Sequence, residues 1–264
     1  MLAMSALAAG GKDYGYKQNG ADWGPEINTA YATCVNGKEQ SPIDLTESID
    51  TVKISEKMEI IGYNYYNFPL NNALDPDSDP AWTTGITDDI KRRKAELNIT
   101  FKDGSKEYFT PKQFHLHAPS EHSVNGKLYD AEVHLVHVYK ASIDAPETYG
   151  AVIGIFFDME EGGKEENAFL KSLWDSSDSF KERDPSEPAL VNDVKFSEFL
   201  ASVNMKEYWS YDGSFTTPPC TEGIKWSVIK QVQSISEKQL ESITDYLAGD
   251  KDFAEEKGNN RVVQ

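Results

Sequence analysis

The sequence predicts a single α+β domain in which strands outnumber helices, and three observations carry that expectation. The chain of 264 residues lies at the upper end of what one hydrophobic core supports, with no Pro/Gly/Ser linker to divide it. Its middle alternates β-branched apolar runs with turn residues, the pattern of a sheet. Helical periodicity is confined to a few short stretches. With 13 Tyr, 12 Phe and 5 Trp there is enough large apolar surface for a folded core, which argues against intrinsic disorder despite the charge.

Taken in order, the opening "MLAMSALAAGG" is apolar and small but lacks a basic leader and a full-length apolar segment. Residues 1–12 are therefore read as a flexible remnant or tag and 13–264 as the domain. Residues 71–94, rich in Asp, Pro and Thr, read as an exposed loop or insertion. "AELNITFKDGSKEYF" (95–109) reads as two strands joined at Asp103-Gly104, a strong hairpin signal. "AEVHLVHVYK" (131–140), "AVIGIFF" (151–157) and "GIKWSVIKQV" (223–232) are expected as central strands. Helices are expected over 165–174, 196–203 and 236–249, the last with Ser236 and Gln239 as a capping box and Gly249 as its stop.

The 44 acidic and 26 basic residues leave a net charge of -18, which repels nucleic-acid phosphates and anionic membrane surfaces. Neither is expected as a partner. Carboxylates in such excess repel one another, and salt screens that repulsion within about 8 Å at 0.15 M. A salt-rich working environment is the expectation that follows. No run of about 20 apolar residues exists to span a membrane. Cys34 and Cys220 are too far apart for a CxxC motif, and spacing alone leaves them as two unrelated thiols.

All five histidines fall within "QFHLHAPSEHSVNGKLYDAEVHLVHV", residues 113–138. His115 and His117 share a face only on a strand, because two residues of helix turn them roughly 200° apart. His134 and His137, three apart, must point to opposite faces of a strand. Glu132 and Val136 share the face of His134, so that face carries an acid able to orient an imidazole and an apolar residue able to line a pocket. Three neutral imidazoles suit Zn2+ and leave a fourth position open for water, the pattern of a catalytic site. The spacing His115-x-His117-x3-Glu121 also fits the ligand pattern of cupins, which hold iron or manganese for oxygen chemistry. Against that reading, Leu128 stands where a cupin needs glycine.

Beyond the histidines, the sequence resembles the alpha-class carbonic anhydrases. "QFHLHAPSEHSVNG" and "AEVHLVH" are similar to the zinc-ligand segments of that family, and "SFTTPPC" (214–220) to its active-site gate. "QSPIDL" (40–45), "AVIGIFF", "GIKWSVI" and the final "NNRVVQ" align in order, so the resemblance covers the chain from about Tyr14 onward. It implies a large, mostly antiparallel twisted central sheet flanked by short helices, with the zinc in a conical cleft. The implied activity is the reversible hydration of CO2 to bicarbonate and a proton by zinc-bound hydroxide.

Carried over by position, the resemblance makes His115, His117 and His134 the zinc ligands, held by Gln113, Glu132 and the backbone of Asn259. Thr216 would accept a hydrogen bond from the hydroxide and donate one to Glu121, and Thr217 would contact bicarbonate or its waters. Val136, Val152, Phe215, Ile224 and Trp226 match the apolar wall for CO2, with Phe215 in a place usually taken by leucine. His122 and His137 match buried structural histidines. Many members export the proton through a histidine at the pocket mouth, yet no histidine falls in residues 71–98. Export through water near Tyr16 or through an acidic group of that stretch is expected instead. Cys34 and Cys220 match the disulfide of secreted members, which implies an extracellular or cell-surface location. Asn98-Ile99-Thr100 fits a glycosylation sequon, although on an expected strand. Some relatives in this family are binding modules that have lost zinc ligands; here the ligand set is intact.

Overall fold

The structure, a computed structural model, describes residues 14–47, 55–63, 68–70, 84–85, 95–139, 149–177, 189–191, 196–247 and 258–264. The described strands are β1 (Asp44–Leu45), β2 (Ser55–Ile61), β3 (Phe68–Leu70), β4 (Thr84–Gly85), β5 (Glu96–Phe101), β6 (Lys106–His117), β7 (Ser123–Val124), β8 (Lys127–Leu128), β9 (Ala131–Tyr139), β10 (Gly150–Phe157), β11 (Ala189–Val191), β12 (Tyr208–Ser214) and β13 (Glu222–Ile229). The α-helices are α1 (Ala32–Asn36), α2 (Ala168–Ser177), α3 (Phe196–Ser202) and α4 (Glu237–Leu247). Eight strands build one sheet in the order β12-β13-β10-β9-β6-β5-β2, with β4 paired to β6. Within it only the β10–β13 pair is parallel among the described strands, so the mostly antiparallel expectation holds.

The hairpin expected at Asp103-Gly104 joins β5 to β6. Gly104 sits at φ +83°, a left-handed conformation that glycine adopts without strain, and Asp103 accepts hydrogen bonds from the Ser105 N–H at 2.9 Å and hydroxyl at 2.6 Å. Helix α2 starts three residues later than its apolar pattern suggests. Asn167 takes the N-cap, its Oδ1 accepting from the Phe169 N–H at 3.0 Å. Gln239 serves both helices: it closes the capping box with Ser236, and its Nε2 donates to Asn167 O at 2.9 Å. The stretch read as a loop over 71–94 departs from expectation where it is described, since Thr84–Gly85 pair with Phe114 and Gln113. Residues 1–13, the rest of 71–94 and Gly249 lie outside the described residues.

The sheet is covered on both sides, and β10 is buried at every position. Against one face pack Phe169, Leu170 and Leu173 of α2, Phe199 and Leu200 of α3 and Ile243 of α4, which meet Phe109, Phe114, Leu116, Val133, Leu135, Ile153 and Ile155. The other face carries Val136, Val152, Phe156, Ile224, Trp226 and Val228. A bulge between Pro111 and Gln113 sets which residues of β6 go where. Proline has no N–H to lose from the ladder and fits such an irregularity. The extra residue resets the alternation, so Phe109, Phe114 and Leu116 all face the helices, leaving Gln113, His115 and His117 on the opposite side.

Candidate metal centre

In the register of β6 and β9, His115 stands directly opposite His134 and His117 opposite Glu132. This pairing brings His134 to the neighbours His115 and His117: the three ring centres lie 4.6 to 5.1 Å from one another. One nitrogen of each lies within 4.8 Å of one nitrogen of the other two. His117 and His134 are buried and His115 is half-buried, so the group opens to one side.

Each ring is held by a single outer partner. His115 Nδ1 donates to Gln113 Oε1 at 2.8 Å, and His117 Nδ1 donates to the Asn259 carbonyl at 2.7 Å. His134 Nε2 lies 3.0 Å from Glu132 Oε1, angled away from full hydrogen-bond alignment. Burial drives all three imidazoles toward the neutral form, His117 to about 4. Neutral rings are the metal-binding form. His117 Nε2 is fully buried without a hydrogen-bond partner, an orphan that costs free energy unless something accepts its lone pair. Three neutral imidazoles, two of them hydrogen-bonded through Nδ1 and the third set against Glu132, fit a zinc ion with a fourth position left open.

Glu132 is completely buried and serves more than one ring. Its Oε2 accepts the N–H groups of Glu121 and His122, each at 3.0 Å, and its Oε1 accepts from His122 Nδ1 at 2.8 Å. Burial opposes its charge, but His122 and His134 outweigh burial and hold the carboxyl well below the ordinary range. Gly154, cross-strand from His134, leaves the room for this: a Cβ there would stand 2.6 Å from Glu132 Oε1. The trio His122, Glu132 and His134 also clusters, yet both nitrogens of His122 are already hydrogen-bonded. His122 Nε2 accepts from the Tyr211 hydroxyl at 2.6 Å, and Tyr211 in turn lies 2.9 Å from Ser41 Oγ.

Glu121 is buried beside the triad, with Oε2 3.4 Å from His117 Nε2 and 3.8 Å from His134 Nδ1. Burial pushes its carboxyl up to about 7, opposed by His134 and by hydrogen bonds from the Thr216 hydroxyl and the Arg261 N–H. Of the residues expected along the apolar wall, Val136, Val152, Ile224 and Trp226 form one buried cluster, with Phe215 packed at its edge. Trp226 Nε1 donates to Ser214 O at 2.9 Å, which fixes the indole. Thr217 is half-buried. Tyr16 is not part of that wall; it is fully buried in a separate cluster with Tyr14, Trp23, Tyr31 and the two cysteines. Cys34 and Cys220 form the expected disulfide.

The comparison with known proteins decides the family, because the profile of the eukaryotic-type carbonic anhydrases matches residues 18–264. The chain belongs to that family. Its activity is accordingly the reversible hydration of carbon dioxide, a lyase reaction, and its sheet forms no cupin barrel. A carbonic anhydrase of Klebsiella pneumoniae is 30% identical over 99% of this chain and 94% of its own length. Among solved structures, a halotolerant carbonic anhydrase from Dunaliella salina is 26% identical, with a TM-score of 0.72 over 95% of this chain and 94% of that one. The alpha-carbonic anhydrase of Thermovibrio ammonificans, solved with the inhibitor sulfanilamide, is 28% identical, with a TM-score of 0.63 over 95% and 94%.

Arg261, Tyr211 and Ser41, which the sequence motifs did not single out, are joined to the carbonic anhydrase site. Arg261 follows Asn259 within the "NNRVVQ" motif, the one signal that could have flagged it. Among the described residues no helix is long and apolar enough to cross a membrane.

Proposed function

We propose that hydration proceeds at a zinc ion held by His115, His117 and His134. The observation that carries this reading is the convergence of one nitrogen from each ring within 4.8 Å, with His115 and His117 bonded through Nδ1 to Gln113 and Asn259 and His134 Nε2 set against Glu132. Zinc in such a site supplies a Lewis acid that lowers the pKa of a water to about 7, the value characteristic of this enzyme class. The chain's own residues do the rest. Thr216, whose hydroxyl is placed to donate a hydrogen bond to Glu121, would then have only lone pairs to offer toward the cleft. An attacking O–H held there therefore donates to Thr216 and turns its own lone pair to the substrate. Val136, Val152, Phe215, Ile224 and Trp226 offer CO2 an apolar wall, and Thr217 offers the bicarbonate product a hydroxyl.

All five histidines are committed to the triad or to buried hydrogen bonds, so no imidazole remains to carry the product proton outward. Export falls to water or to carboxylates of 71–98, and to the buffer. The disulfide supports an extracellular or cell-surface location. The charge of -18 and the likeness to a halotolerant enzyme support salt tolerance.

Metal analysis combined with CO2 hydration over a range of buffer and salt tests these points together. One zinc per chain is expected, with activity persisting at molar NaCl and imidazole raising kcat while leaving kcat/KM unchanged. A metal-free, inactive protein would remove the zinc reading. Iron or manganese in place of zinc would overturn the metal assignment.

A further inference from the structure

Arg261 is 1% exposed, one of the largest fully buried side chains, and none of its guanidinium hydrogen bonds goes to a carboxylate among the described residues. Nη1 donates to the Ser41 carbonyl at 2.7 Å and to Gln40 Oε1 at 3.0 Å, and Nη2 donates to the Cys34 carbonyl at 3.0 Å. The guanidinium carbon lies 5.8 Å from the centre of the Trp23 ring. A buried cation on neutral acceptors is costly, so the position of those acceptors is informative. All three lie in residues 34–41, the segment that braces the loop Phe215–Cys220. Cys34 is bridged to Cys220, and Gln40 Nε2 donates to the Cys220 carbonyl at 3.1 Å. The Ser41 N–H donates to Ser214 Oγ at 2.9 Å, and the Ser214 N–H returns a bond to Ser41 Oγ at 3.1 Å.

That loop carries Thr216. The main-chain N–H of Arg261 meanwhile donates to Glu121 Oε1 at 2.9 Å. We propose that Arg261 is a positioning residue for the hydration reaction: its fork fixes the segment that braces the Thr216 loop while its N–H fixes Glu121, which keeps the two in register. The inference rests on the Thr216–Glu121 reading given above. Lysine at this position keeps the charge but cannot span three oxygen acceptors with a planar fork.

The test compares the zinc-loaded wild type with Arg261→Met, Arg261→Lys, Glu121→Gln and the Arg261→Met/Glu121→Gln double variant. It reads kcat and KM for CO2 and amide hydrogen exchange over 215–221. Each Arg261 variant is expected to lower kcat/KM about tenfold or more, chiefly through kcat. Exchange in the loop rises while β9 and β10 keep their protection. In the Glu121→Gln background the Arg261→Met change then costs no more than about twofold, because the Thr216–Glu121 alignment that the fork maintains is already lost.

Full additivity in that cycle, or unchanged kcat/KM and loop exchange in both Arg261 variants, overturns the proposal. Wild-type kcat/KM in Glu121→Gln alone overturns the Glu121 reading itself, and the proposal with it. If Arg261→Met does not fold, Arg261→Lys carries the same cycle.

Discussion

The two faces of β9 carry the same kind of residue in opposite chemical states. On one face His134 has one nitrogen beside Glu132, while its Nδ1 stands 3.8 Å from Glu121, beyond a hydrogen bond. On the other, His137 donates from Nδ1 to the Ala151 carbonyl at 3.3 Å and accepts at Nε2 from the Tyr63 hydroxyl. Both imidazoles are buried to the same degree. Burial therefore does not distinguish a metal ligand from a structural histidine; an uncommitted nitrogen does. The same rule sorts His122, with both nitrogens hydrogen-bonded, from His117, with one orphaned.

The sharpest way to break this comparison is to exchange the faces' fates. His134→Asn is expected to abolish zinc retention and to slow hydration on the order of 10^3-fold or more, equivalent to about 4 kcal/mol. His137→Asn should keep one zinc per chain and lose about 1–3 kcal/mol of stability through its broken hydrogen bonds. Metal analysis, hydration rates and urea unfolding of the pair decide it. Zinc loss in His137→Asn rather than in His134→Asn would reverse the assignment.

The next effect is the share of the pH dependence that the far face contributes. Burial lowers the folded pKa of His137 to about 4, against bonds to the Ala151 and Leu135 backbone that favour the charged form. Between the unfolded value near 6.5 and about 4, the unfolded chain binds the proton that the folded chain refuses. Stability is then full above about 6.5 and is lost as pH falls toward 4, by on the order of 3 kcal/mol for this one group. Unfolding free energies at stepped pH should show a shallower acid slope in His137→Asn than in the wild type. Equal slopes would mean that His137 is not the group involved.

The smallest effect probes the partner that holds a ligand on the site face. Glu132→Gln should weaken zinc binding about 10–100-fold while the triad stays complete. Gly154→Ala should move affinity the same way, since its methyl would crowd Glu132 Oε1. Competition with a chelator measures both, and wild-type affinity in the two variants would leave Glu132 a purely structural acid.

Much of this arrangement is legible in the sequence because strand parity is strict. Two residues on a strand share a face and three do not, which separates His134 from His137 and joins Glu132 and Val136 to the former. The hairpin at Gly104 and the capping box at Ser236 are equally local, and local signals survive into the fold. What cannot be read locally is who meets whom across the chain. Ser41 reaches Tyr211 and Arg261 reaches Cys34 over most of the sequence, and although Ser41 and Arg261 lie in recognisable motifs, neither motif names the partner. The start of α2 departs from its apolar pattern for a related reason: Asn167 takes its cap with help from Gln239, which lies 72 residues away. Tyr16 illustrates the same limit, since its place among Tyr14, Trp23 and Tyr31 follows from packing and not from its motif.

The Asn259 and Arg261 contacts have a consequence for the order in which the molecule can be made. The carbonyl that steadies His117 and the N–H that steadies Glu121 come from residues 259 and 261, 142 and 140 positions downstream. A chain still in synthesis can lay β6 against β9 once those strands have emerged, but two of its site groups stay unbraced until residue 261 is free of the ribosome. Strand assembly and competence for metal are thus separate events in the life of the polypeptide. A nascent chain arrested before Asn259 should show the first without the second.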